Sequence, residues 1–596
     1  MVKHENEIIN SIRHSLAHLL AMAVLKKFPK AKLWVGPVIE NGFYYDFDLA
    51  NAHKYENEFS RISDADLPEI EKEMRNLVLR NLDFTGKNIM PAEAKKLFKN
   101  QPYKLDLIKD FIKEKRDLTV YHTGDFTDLC RGGHIHNTSE INPGAFKLTK
   151  TSGAYWKGNQ ENPQLTRIYG VAFETKEELE NYLTMQEEAT KRDHRVLGKN
   201  LELFSIIDEI GPGLPLFYPK GAILRKTVEE YIASVQEKRG YEAIWIPHIT
   251  KGELYKISGH LDKFDAMDPP MKLKDEADYY LKPMNCPHFM MLYKTRPRSY
   301  RDLPIRWTST TTNYRYEKSG ELTGLARVRS LTQDDCHVFL LSDQIEPEVN
   351  LMLDMIEEVY EKFGFHDFWV RVSTHDPTQK KNYIGDPAIW KNSEEILSRL
   401  IEKRGWKHEI GIGEAAFYGP KLDFIFKDVL GREWQLSTIQ LDMNLPERFD
   451  LEFIDSNGTK KRPVVLHRAI LGSTERFLGI LIEHFAGEFP FWLAPIQVAI
   501  LAINDRVLPY CREIAEELKK HGVRITIDPR NESIGKKIRE SELQKIPYLF
   551  VIGDKEAEAK NISVREHKKG NLGNMATASF LALIKNTHST ARPLDK

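Results

Sequence analysis

One short segment carries an unusual density of groups that do chemistry. Residues 331–339 read Leu-Thr-Gln-Asp-Asp-Cys-His-Val-Phe, and the apolar end is typical of a buried β-strand. Alternation along a strand would put Gln333, Asp335 and His337 on one face and Cys336 on the other. Such groups are costly to bury without partners. The segment therefore predicts a site into which an amide, a carboxylate and an imidazole point together.

Histidines and cysteines elsewhere give weaker signals. Apolar residues recur at helical spacing over residues 10–27, so His14 and His18 stand one turn apart on one face of a predicted helix. The cysteines are too far apart for a disulfide framework or a local Cys-x-x-Cys zinc site, so each must be judged by its own neighbours. They are Cys130, Cys286, Cys336 and Cys511.

The composition is that of a globular chain with several cores. The 596 residues are 41% hydrophobic and 29% charged, which favours three or four domains over disorder. We see no secretory signal pattern and no apolar run near the roughly eighteen residues of a membrane helix, and expect a cytoplasmic protein without a membrane partner. The net charge is −1, but residues 496–596 hold 18 Lys and Arg against 13 Asp and Glu, which weakly suggests an RNA-facing end.

The sequence also predicts the elements that must position these residues. A charged helix over 177–199 suggests a connector between domains, and Gly-Pro-Gly at 211–213 follows as a break. A helix over 222–239 leads to strand-like residues 243–247, and another strand-like run covers 307–316. This pattern is typical of a mixed, largely antiparallel core.

The pattern changes after two prolines near residue 490. Strand-like residues 496–503, 524–528 and 548–552 alternate with helix-like residues 507–520 and 533–543. Such alternation is typical of βαβ units. We therefore predict a separate α/β domain at the C-terminal end.

Three fragments resemble motifs 2 and 3 of class II aminoacyl-tRNA synthetases. They are Asn-Tyr-Arg-Tyr-Glu at 313–317, Arg-Val-Arg at 327–329 and Gly-Ser-Thr-Glu-Arg-Phe at 472–477, while the helix ending near Pro247 resembles motif 1. Each fragment alone is weak, since a buried arginine is more often paired to a carboxylate in an ordinary core. Their order along the chain strengthens the resemblance.

Further motifs narrow the resemblance to the threonyl-tRNA synthetase family, over nearly the whole chain. They are Lys-Pro-Met-Asn-Cys-Pro at 282–287, Thr-Gln-Asp-Asp-Cys-His at 332–337 and Leu-His-Arg-Ala-Ile at 466–470. The resemblance implies one catalytic-domain Zn²⁺ per subunit, and its ligands map to Cys286, His337 and His467. Their spacing alone would predict only ordinary core residues.

A metal has a physical purpose in such a site. Threonine and valine are nearly isosteric, and an apolar pocket separates such pairs by only about a hundredfold, whereas a site that must bind the hydroxyl separates them by roughly 10⁴ to 10⁵. Three protein ligands leave Zn²⁺ with open positions, which by resemblance the substrate amino group and hydroxyl fill. Asp335 would accept the hydroxyl proton, and Gln333 would line the same wall. Cys336, on the opposite face, is predicted to pack in the core.

The activation step needs fixed cations, because negative charge spreads over phosphate oxygens in its transition state. By resemblance, Arg315, Arg327 and Arg476 contact the phosphates of ATP, Glu317 holds the adenine amino group, and Mg²⁺ arrives with ATP. The catalytic set is then Arg315, Arg476, Gln333, Asp335 and Lys421. The residues that line the threonine and nucleotide pocket are Met284, Tyr418, Gln435 and Gln440, which otherwise would read as a strand edge and its turn.

Serine also has a hydroxyl, so the zinc site cannot exclude it. The loss of one methyl group is worth only about 10 to 200-fold. The resemblance therefore implies a hydrolytic editing site near the N-terminus, in which imidazoles, a thiol and a lysine position a water. Its residues are His14, His18, Lys104, Asp128, Cys130 and His134. The same histidines and thiol could instead form a zinc site.

The C-terminal block resembles the anticodon-binding domain of this synthetase group. The expected base-reading residues are Asn531, Glu556 and Arg565. Lys536, Lys537 and Arg539 are expected to contact phosphates, and a solvated charged face is the ordinary alternative.

Three departures from the family pattern stand out. Pro-His-Phe replaces Pro-Gly-His after Cys286, which makes His288 a rival ligand. Gly133 stands where proline is usual in the editing loop. The small ubiquitin-like domain with which the family commonly begins is expected to be absent.

We interpret the chain as a multidomain α+β and α/β protein. The expected parts are an α+β editing domain (1–176), a connecting helix (177–199), a class II catalytic domain with an antiparallel sheet (200–494) and an α/β anticodon-binding domain (495–596). The expected activity joins L-threonine to tRNA(Thr) with ATP and hydrolyses mischarged Ser-tRNA(Thr), in a homodimer formed through the motif 1 helix. The main alternative is an RNA-binding regulator without catalysis; a free-standing deacylase and a zinc hydrolase fit less well.

Overall fold

The computed structural model describes residues 2–49, 62–159, 161–274 and 277–588. The chain divides into two compact units, Met1–Glu187 and Glu188–Lys596. Both units mix helices with sheets that are mostly antiparallel, which confirms the predicted multidomain fold class.

The first unit packs helices on a five-stranded sheet, with β1, β3, β8 and β7 in order and β2 paired to β3, beside a three-stranded sheet of β4, β5 and β6. Its elements are α1 (Val2–Lys27), β1 (Lys32–Leu33), β2 (Val38–Ile39), β3 (Gly42–Asp48), α2 (Leu67–Val78), β4 (Thr85–Asn88), α3 (Pro91–Leu97), α4 (Pro102–Lys113), β5 (Thr119–Thr123), β6 (Phe126–Leu129), β7 (Phe146–Tyr155), β8 (Gln164–Ala172) and α5 (Lys176–Arg192).

Helix α1 is the core helix of this unit. Leu16, Leu20 and Val24 repeat at helical spacing and are fully buried. By length and mean hydropathy alone, residues Glu7–Lys27 could cross a membrane, which is an exception to our expectation of no such stretch. However, 67% of that window is buried inside the structure. The packing of α1 into the core accounts for its apolar sequence.

The second unit begins with the elements that carry the catalytic domain. They are α6 (His194–Asn200), β9 (Phe204–Ser205), β10 (Leu216–Phe217), α7 (Pro219–Glu237), β11 (Glu242–Ala243), β12 (Ile249–Lys251), α8 (Gly252–Ser258), α9 (His260–Lys263), β13 (Tyr279–Leu281), α10 (Cys286–Lys294), β14 (Ile305–Tyr314), β15 (Ser330–Leu340), α11 (Ile345–Phe363), β16 (Phe368–Thr374), α12 (Pro387–Arg404), β17 (His408–Ile412), β18 (Lys421–Lys427), β19 (Glu433–Asp442), α13 (Leu445–Arg448), β20 (Phe453–Ile454), β21 (Lys460–Lys461), β22 (Val464–Ala469) and α14 (Thr474–His484).

An eight-stranded sheet forms the centre of this domain, in the order β11-β14-β15-β22-β19-β18-β16-β17. Its inner pairs are antiparallel, and the pairs at its two edges, β11 with β14 and β16 with β17, are parallel. On β15, Cys336 and Val338 pack in the apolar core, whereas Gln333 and Asp335 on the other face are partly exposed. The alternation predicted for residues 331–339 is therefore confirmed.

The C-terminal elements form a five-stranded sheet, β24-β23-β25-β26-β27, that is parallel over its first three strands. The elements are β23 (Val498–Ala502), α15 (Leu508–Lys520), β24 (Ile525–Asp528), α16 (Ile534–Leu543), β25 (Tyr548–Ile552), α17 (Asp554–Glu558), β26 (Ile562–Glu566), β27 (Gly570–Met575) and α18 (Thr577–His588). The predicted βαβαβ order is confirmed to within about two residues at each boundary.

Two predicted elements differ from the structure. The single connecting helix is two helices, α5 and α6, because Asp193 ends one and caps the next by accepting from the Arg195 N–H. The strand expected over residues 243–247 pairs only at Glu242–Ala243. Trp245, beyond that short strand, is 79% exposed.

Candidate active site

Three side chains from distant parts of the sequence meet on the polar face of β15. Cys286 begins α10, whereas His337 and His467 lie on β15 and β22. The register of these strands puts His337 directly opposite His467. The ligand atoms of the three residues, which we call the triad, lie within 4.8 Å of one another, and all three residues are buried. A thiol and two imidazoles are ligands typical of Zn²⁺.

The ring nitrogens of the triad are left without partners in a way that fits a metal ion. Both nitrogens of His337 and Nδ1 of His467 are buried and make no hydrogen bond. Nε2 of His467 lies 3.0 Å from Asp442 Oδ2, which is the kind of carboxylate partner that orients metal-bound histidines. Buried polar atoms are otherwise nearly always hydrogen-bonded. The donor set and its unpartnered nitrogens therefore fit Zn²⁺.

The pKa values of the two imidazoles in the triad are shifted in opposite directions. Burial holds the pKa of His337 well below its usual range, and the neighbouring His467 acts in the same direction. Burial also acts to lower the pKa of His467, but Cys286 and the Asp442 carboxylate outweigh it and raise that pKa to about 10. Without a metal, His467 is therefore protonated at neutral pH while His337 is neutral.

The rival ligand suggested by the altered motif, His288, is also buried. It is 8% exposed, and neither of its ring nitrogens has a partner. Burial and the positive charge of Lys282 lower its pKa to about 4. Within the described residues, however, His288 belongs to none of the groups whose ligand atoms lie within 4.8 Å of one another. The geometry favours the triad as the metal site.

Asp335 and Gln333 form the polar wall beside the triad. Asn285 Nδ2 donates to Asp335 Oδ2 at 2.8 Å. Gln333 accepts from Asn313 Nδ2 at 2.7 Å and donates to the Gly472 carbonyl at 3.0 Å. Burial raises the pKa of Asp335 to about 6, although the Asn285 hydrogen bond acts against that rise. Both side chains are thus held by protein partners in fixed positions.

The other predicted pocket residues lie around the triad. The Tyr418 hydroxyl donates to Gln440 Oε1, and its ring centroid lies 5.0 Å from that of His467. The register of β19 and β22 puts Gln440 directly opposite His467. Met284 Sδ lies 3.1 Å from Nε2 of the fully buried His260. Strand register therefore brings Gln440 to the triad, and Tyr418 reaches it by side-chain contacts with Gln440 and His467.

The predicted phosphate-binding arginines lie near β14 and the start of α14. Arg327 Nε donates to Glu317 Oε2 at 2.8 Å, so these two groups pair with each other. Arg476 Nε donates to the Ala326 carbonyl at 3.0 Å. Burial lowers the pKa of Arg315 and Arg476, but an arginine stays charged at neutral pH. Nε of Arg315 is buried and has no partner, which leaves it a donor for an anion.

Lys421 and Gln435 converge on a carboxylate that the sequence did not predict. Lys421 Nζ lies 3.0 Å from Asp423 Oδ2, and Gln435 Nε2 donates to Asp423 Oδ1 at 2.8 Å. Asp423 is fully buried and also accepts from Ser373 Oγ at 2.7 Å and Arg371 Nη2 at 3.2 Å. This network fixes two of the predicted pocket residues.

The first unit holds a second cluster of ligand-type groups, formed by His14 and His18 of α1 with Cys130 and His134. Cys130 Sγ lies 3.3 Å from His14 Nε2 and 3.1 Å from His134 Nε2. His134 Nδ1 lies 3.1 Å from Ser15 Oγ. The partner of two of these nitrogens is the Cys130 thiol, itself a ligand-type group, and His18 Nδ1 is buried without a partner, so this cluster also has the donors of a metal site.

Burial sets the proton states of this second cluster. It lowers the pKa of His14, His18 and His134. It raises the pKa of Cys130 to about 11. At neutral pH the cluster therefore offers neutral imidazoles and a protonated thiol, which suits the activation of a water better than attack by a thiolate.

Lys104 and Asp128 form a buried ion pair beside this cluster. Lys104 Nζ lies 2.5 Å from Asp128 Oδ1. The Tyr45 hydroxyl donates to Asp128 Oδ2 at 2.6 Å and accepts from Lys104 at 3.1 Å. His18 Nε2 lies 3.7 Å from Asp128 Oδ2. The structure thus brings all six predicted residues of this site together and adds Tyr45.

A third group, Asp193, His194 and Glu483, has an ordinary structural explanation. His194 Nδ1 lies 2.6 Å from Glu483 Oε1, and the Leu325 N–H donates to His194 Nε2 at 3.0 Å. Both ring nitrogens have partners, so this histidine is a satisfied core residue.

The predicted base-reading residues lie in the C-terminal domain. Asn531 follows β24 and Glu556 is in α17 after β25, so both lie near the carboxyl ends of parallel strands. Arg565, on β26, lies opposite Leu549 in β25.

The predicted phosphate contacts in this domain have different environments. Lys536 pairs with Glu532 at 2.6 Å, and Arg539 is exposed. The prediction for Lys537 is wrong, because its Nζ is buried and donates to the carbonyl of Ala502 at 2.7 Å.

Several residues of these sites were missed by sequence reasoning. Lys282 and Asn285 could have been found, because both fall within the motif at 282–287. The others carry no local signal, since each acts through a contact with a residue that is not its neighbour in the sequence. They are Tyr45, His260, Asp423 and Asp442.

Three domain families match separate parts of the chain. Residues 118–169 match the threonyl and alanyl tRNA synthetase second additional domain. Residues 271–485 match the tRNA synthetase class II core domain for G, H, P, S and T. Residues 497–587 match an anticodon binding domain.

Full-length relatives match almost the entire chain. A threonine–tRNA ligase of Thermosynechococcus vestitus is 46% identical over 97% of this chain and 95% of its own length. Another, of Rubrobacter xylanophilus, is 47% identical over 98% of this chain and 89% of its own length. The crystal structure of the RNA binding domain of threonyl-tRNA synthetase from Cryptosporidium parvum is 36% identical, with a TM-score of 0.63 over 68% of this chain and 100% of that one.

Zinc binding by metal-free protein is expected to release protons at pH 7, because the raised pKa leaves His467 protonated and a ligand nitrogen must lose its proton. Titration calorimetry in two buffers of different ionisation enthalpy measures this release. Asp442→Asn, which removes the carboxylate that stabilises the protonated ring, is expected to release fewer protons per zinc. Equal proton release by the wild-type protein and the Asp442→Asn variant would contradict the assignment of His467 as a ligand that Asp442 keeps protonated before zinc binds.

Proposed function

This chain belongs to the threonine–tRNA ligase family, and we propose that its triad of Cys286, His337 and His467 holds the Zn²⁺ that selects threonine. The activity is the ATP-dependent joining of threonine to tRNA by a class II catalytic core, with an editing domain in the same chain. One observation carries the zinc proposal: the ligand atoms of these three buried residues lie close together, and most ring nitrogens of the two histidines have no hydrogen-bond partner.

The polar wall would complete the selection of threonine. A bound Zn²⁺ would offer open positions to the substrate amino group and hydroxyl. Asp335 would accept the hydroxyl proton, because Asn285 already occupies its Oδ2 as a donor and leaves Oδ1 available. Met284, Tyr418 and Gln440 would line the pocket around the side chain. Valine has no hydroxyl to donate, so it would leave Asp335 unsatisfied.

The arginines and Lys421 would serve the activation step. Arg315 follows β14, Arg476 lies in the first turn of α14, and both would stabilise charge on the α-phosphate of ATP with its Mg²⁺. Arg327 and Glu317, which pair with each other, would part to bind phosphate and adenine. Lys421, Gln333 and Gln435 would orient the carboxylate and nucleotide.

A pair of neighbouring substitutions on β15 tests the zinc proposal. His337→Ala is expected to lose zinc and to lower threonine-dependent pyrophosphate exchange by about a hundredfold or more, because it removes a ligand. Cys336→Ala is the matched control: its side chain packs in the core, so zinc content and exchange should stay near the wild-type level. Zinc retained in the first variant and lost in the second would remove the proposed ligand set.

The second cluster would hydrolyse Ser-tRNA(Thr). Its support is the convergence of neutral imidazoles of His14, His18 and His134 on one space, beside the Lys104–Asp128 pair. A neutral imidazole can accept a proton from water, and Lys104 can stabilise developing negative charge. Cys130 would contribute as a neutral thiol.

Loss of His18 tests the editing site. His18→Ala is expected to slow hydrolysis of Ser-tRNA(Thr) by about a hundredfold, the usual contribution of a positioned base, while threonylation is unchanged. Tyr45→Phe, which removes one hydroxyl that holds Asp128 and Lys104, should slow it less. The measurements are deacylation of purified Ser-tRNA(Thr) and threonine charging. Normal deacylation by the His18 variant would exclude this role.

We propose that Asn531, Glu556 and Arg565 read anticodon bases of tRNA(Thr). We also propose that the domain limits are 1–176, 200–494 and 495–596, with the connector at 177–199.

An RNA-binding regulator without catalysis is not favoured, because the catalytic core matches ligases along its length. The cytoplasm is the location expected for an enzyme that charges tRNA for translation.

We also propose a homodimer formed through α7 and the segment after it. The support is the exposure of apolar side chains in the single chain: Trp245 is 79% exposed and Ile249 is 46% exposed. Large aromatic side chains exposed to this degree often mark an interface.

The exposed tryptophan gives a test of the dimer. Trp245→Glu is expected to shift the protein from dimer to monomer at micromolar concentration, because a charge would be buried at the interface. Sedimentation velocity measures the change. Leu543→Glu, at an exposed leucine of the C-terminal domain, is the control and should remain dimeric. A monomeric wild-type protein, or a dimeric Trp245 variant, would contradict this interface.

A further inference from the structure

A lysine that the proposed reaction does not use lies fully buried next to the triad. Lys282 follows β13, and its Nζ donates to Asn285 Oδ1 at 2.9 Å and to Thr311 Oγ1 at 2.6 Å. Its main chain is also fixed, because its N–H donates to His248 and its carbonyl accepts from Tyr314. Burial of an ammonium group is costly unless it is hydrogen-bonded, and the hydrogen bonds of Lys282 connect it to Asn285 and so to Asp335.

The ammonium determines which way the neighbouring amide points. A lysine ammonium has only donors, so the atom of Asn285 that faces it must be the carbonyl oxygen. The amide nitrogen of Asn285 is then directed at Asp335 Oδ2, 2.8 Å away. Asn285 is itself fully buried, so water cannot substitute for either partner. The hydrogen bonds therefore run in one direction: Lys282 donates to Asn285, and Asn285 donates to Asp335.

This order has a consequence for Asp335. The Asn285 N–H occupies Oδ2 and fixes the orientation of the carboxylate, so Oδ1 is left available to a second donor. Oδ1 lies on the triad side, 3.7 Å from His337 Nδ1. If Lys282 were absent, Asn285 could turn and present its oxygen to Asp335, so that two acceptors would face each other and the carboxylate would lose the contact that holds Oδ1 towards the triad.

We propose that Lys282, acting through Asn285, is a positioning residue that keeps Asp335 a hydrogen-bond acceptor and so makes the site demand a hydroxyl from its amino-acid substrate. This inference rests on the proposed threonine site and deepens it. The Nζ of Lys282 donates to Asn285 and Thr311, neither of which is in the proposed ligand set, so its effect would be on selectivity. Burial lowers the pKa of Lys282 to about 8, against the attraction of Asp335, so the ammonium form still predominates at pH 7.

The test compares three amino acids in pyrophosphate exchange by zinc-loaded Lys282→Met. Threonine and serine both donate a hydroxyl, whereas valine does not. The ratio of kcat/KM for threonine over valine is expected to fall by about tenfold or more, the value of one charge-assisted hydrogen bond. The threonine-to-serine ratio should be unchanged, since both substrates lose the same contact. KM for threonine should rise while KM for ATP is unchanged.

Matched variants separate positioning from a general loss of structure. Lys537→Met removes another buried lysine, one that donates to main-chain carbonyls of the C-terminal domain, and should leave exchange and all ratios at wild-type values. Lys282→Gln keeps a donor without the charge and should restore part of the selectivity. Asn285→Ala removes the residue that connects Lys282 to Asp335. Its effect on selectivity and that of Lys282→Met should therefore not add in the double variant.

The outcomes distinguish this inference from the proposed function. Unchanged threonine-to-valine selectivity in zinc-loaded Lys282→Met would overturn the inference and leave the zinc site intact. If Lys282→Met fails to fold, Lys282→Gln and Asn285→Ala decide in its place: full selectivity in both would overturn the inference, and reduced selectivity in both would support it. Absence of zinc from the wild-type protein would instead remove the proposed function itself.

Discussion

The register of four antiparallel strands is the constraint on which the active site depends. Lys421 lies opposite Gln440, Gln440 opposite His467, and His467 opposite His337, so one row crosses β18, β19, β22 and β15. Residues directly opposite in neighbouring strands point to the same face. A slip of one residue in any pair would turn its side chain to the other face, where the apolar core lies. The hydrophobic residues that alternate with this row hold the strand register, so they also determine which side chains meet in the active site.

Local pattern explains how much of this could be predicted from sequence. Alternation in residues 331–339 correctly separated Asp335 and His337 from Cys336, because the side chains of a strand repeat every two residues. The partners of those groups could not be predicted in the same way. His467 reaches the triad through the pairing of β22 with β15, and Cys286 reaches it from the start of α10; only the family resemblance suggested them. Tyr45 and Asp423 were missed because a buried tyrosine or carboxylate within a strand has no local signature that distinguishes it from ordinary core or surface residues.

Buried charged groups hold functional residues in both proposed sites. Asp423 has several donors, and Lys104 pairs with Asp128 under the Tyr45 hydroxyl. Such networks contribute little net stability, because desolvation offsets most of the attraction. They do restrict each functional group to one orientation, since any other would leave a buried polar atom unsatisfied. The same reasoning applies to the Lys282–Asn285–Asp335 chain, where each hydrogen bond sets the orientation of the next group.

The proposed zinc site and the proposed editing site would each exclude a different competitor of threonine. A site that demands a hydroxyl rejects valine because a buried acceptor would be left without a partner, but serine satisfies that acceptor as well as threonine does. The remaining difference, one methyl group, is too small to be read by binding alone. Hydrolysis after transfer adds a second, independent selection, and the environment of the second cluster would suit it: burial lowers the pKa of its imidazoles and raises the pKa of its thiol. Neutral bases can activate water without leaving a reactive thiolate beside an ester, so correction by water is the chemistry that this environment favours.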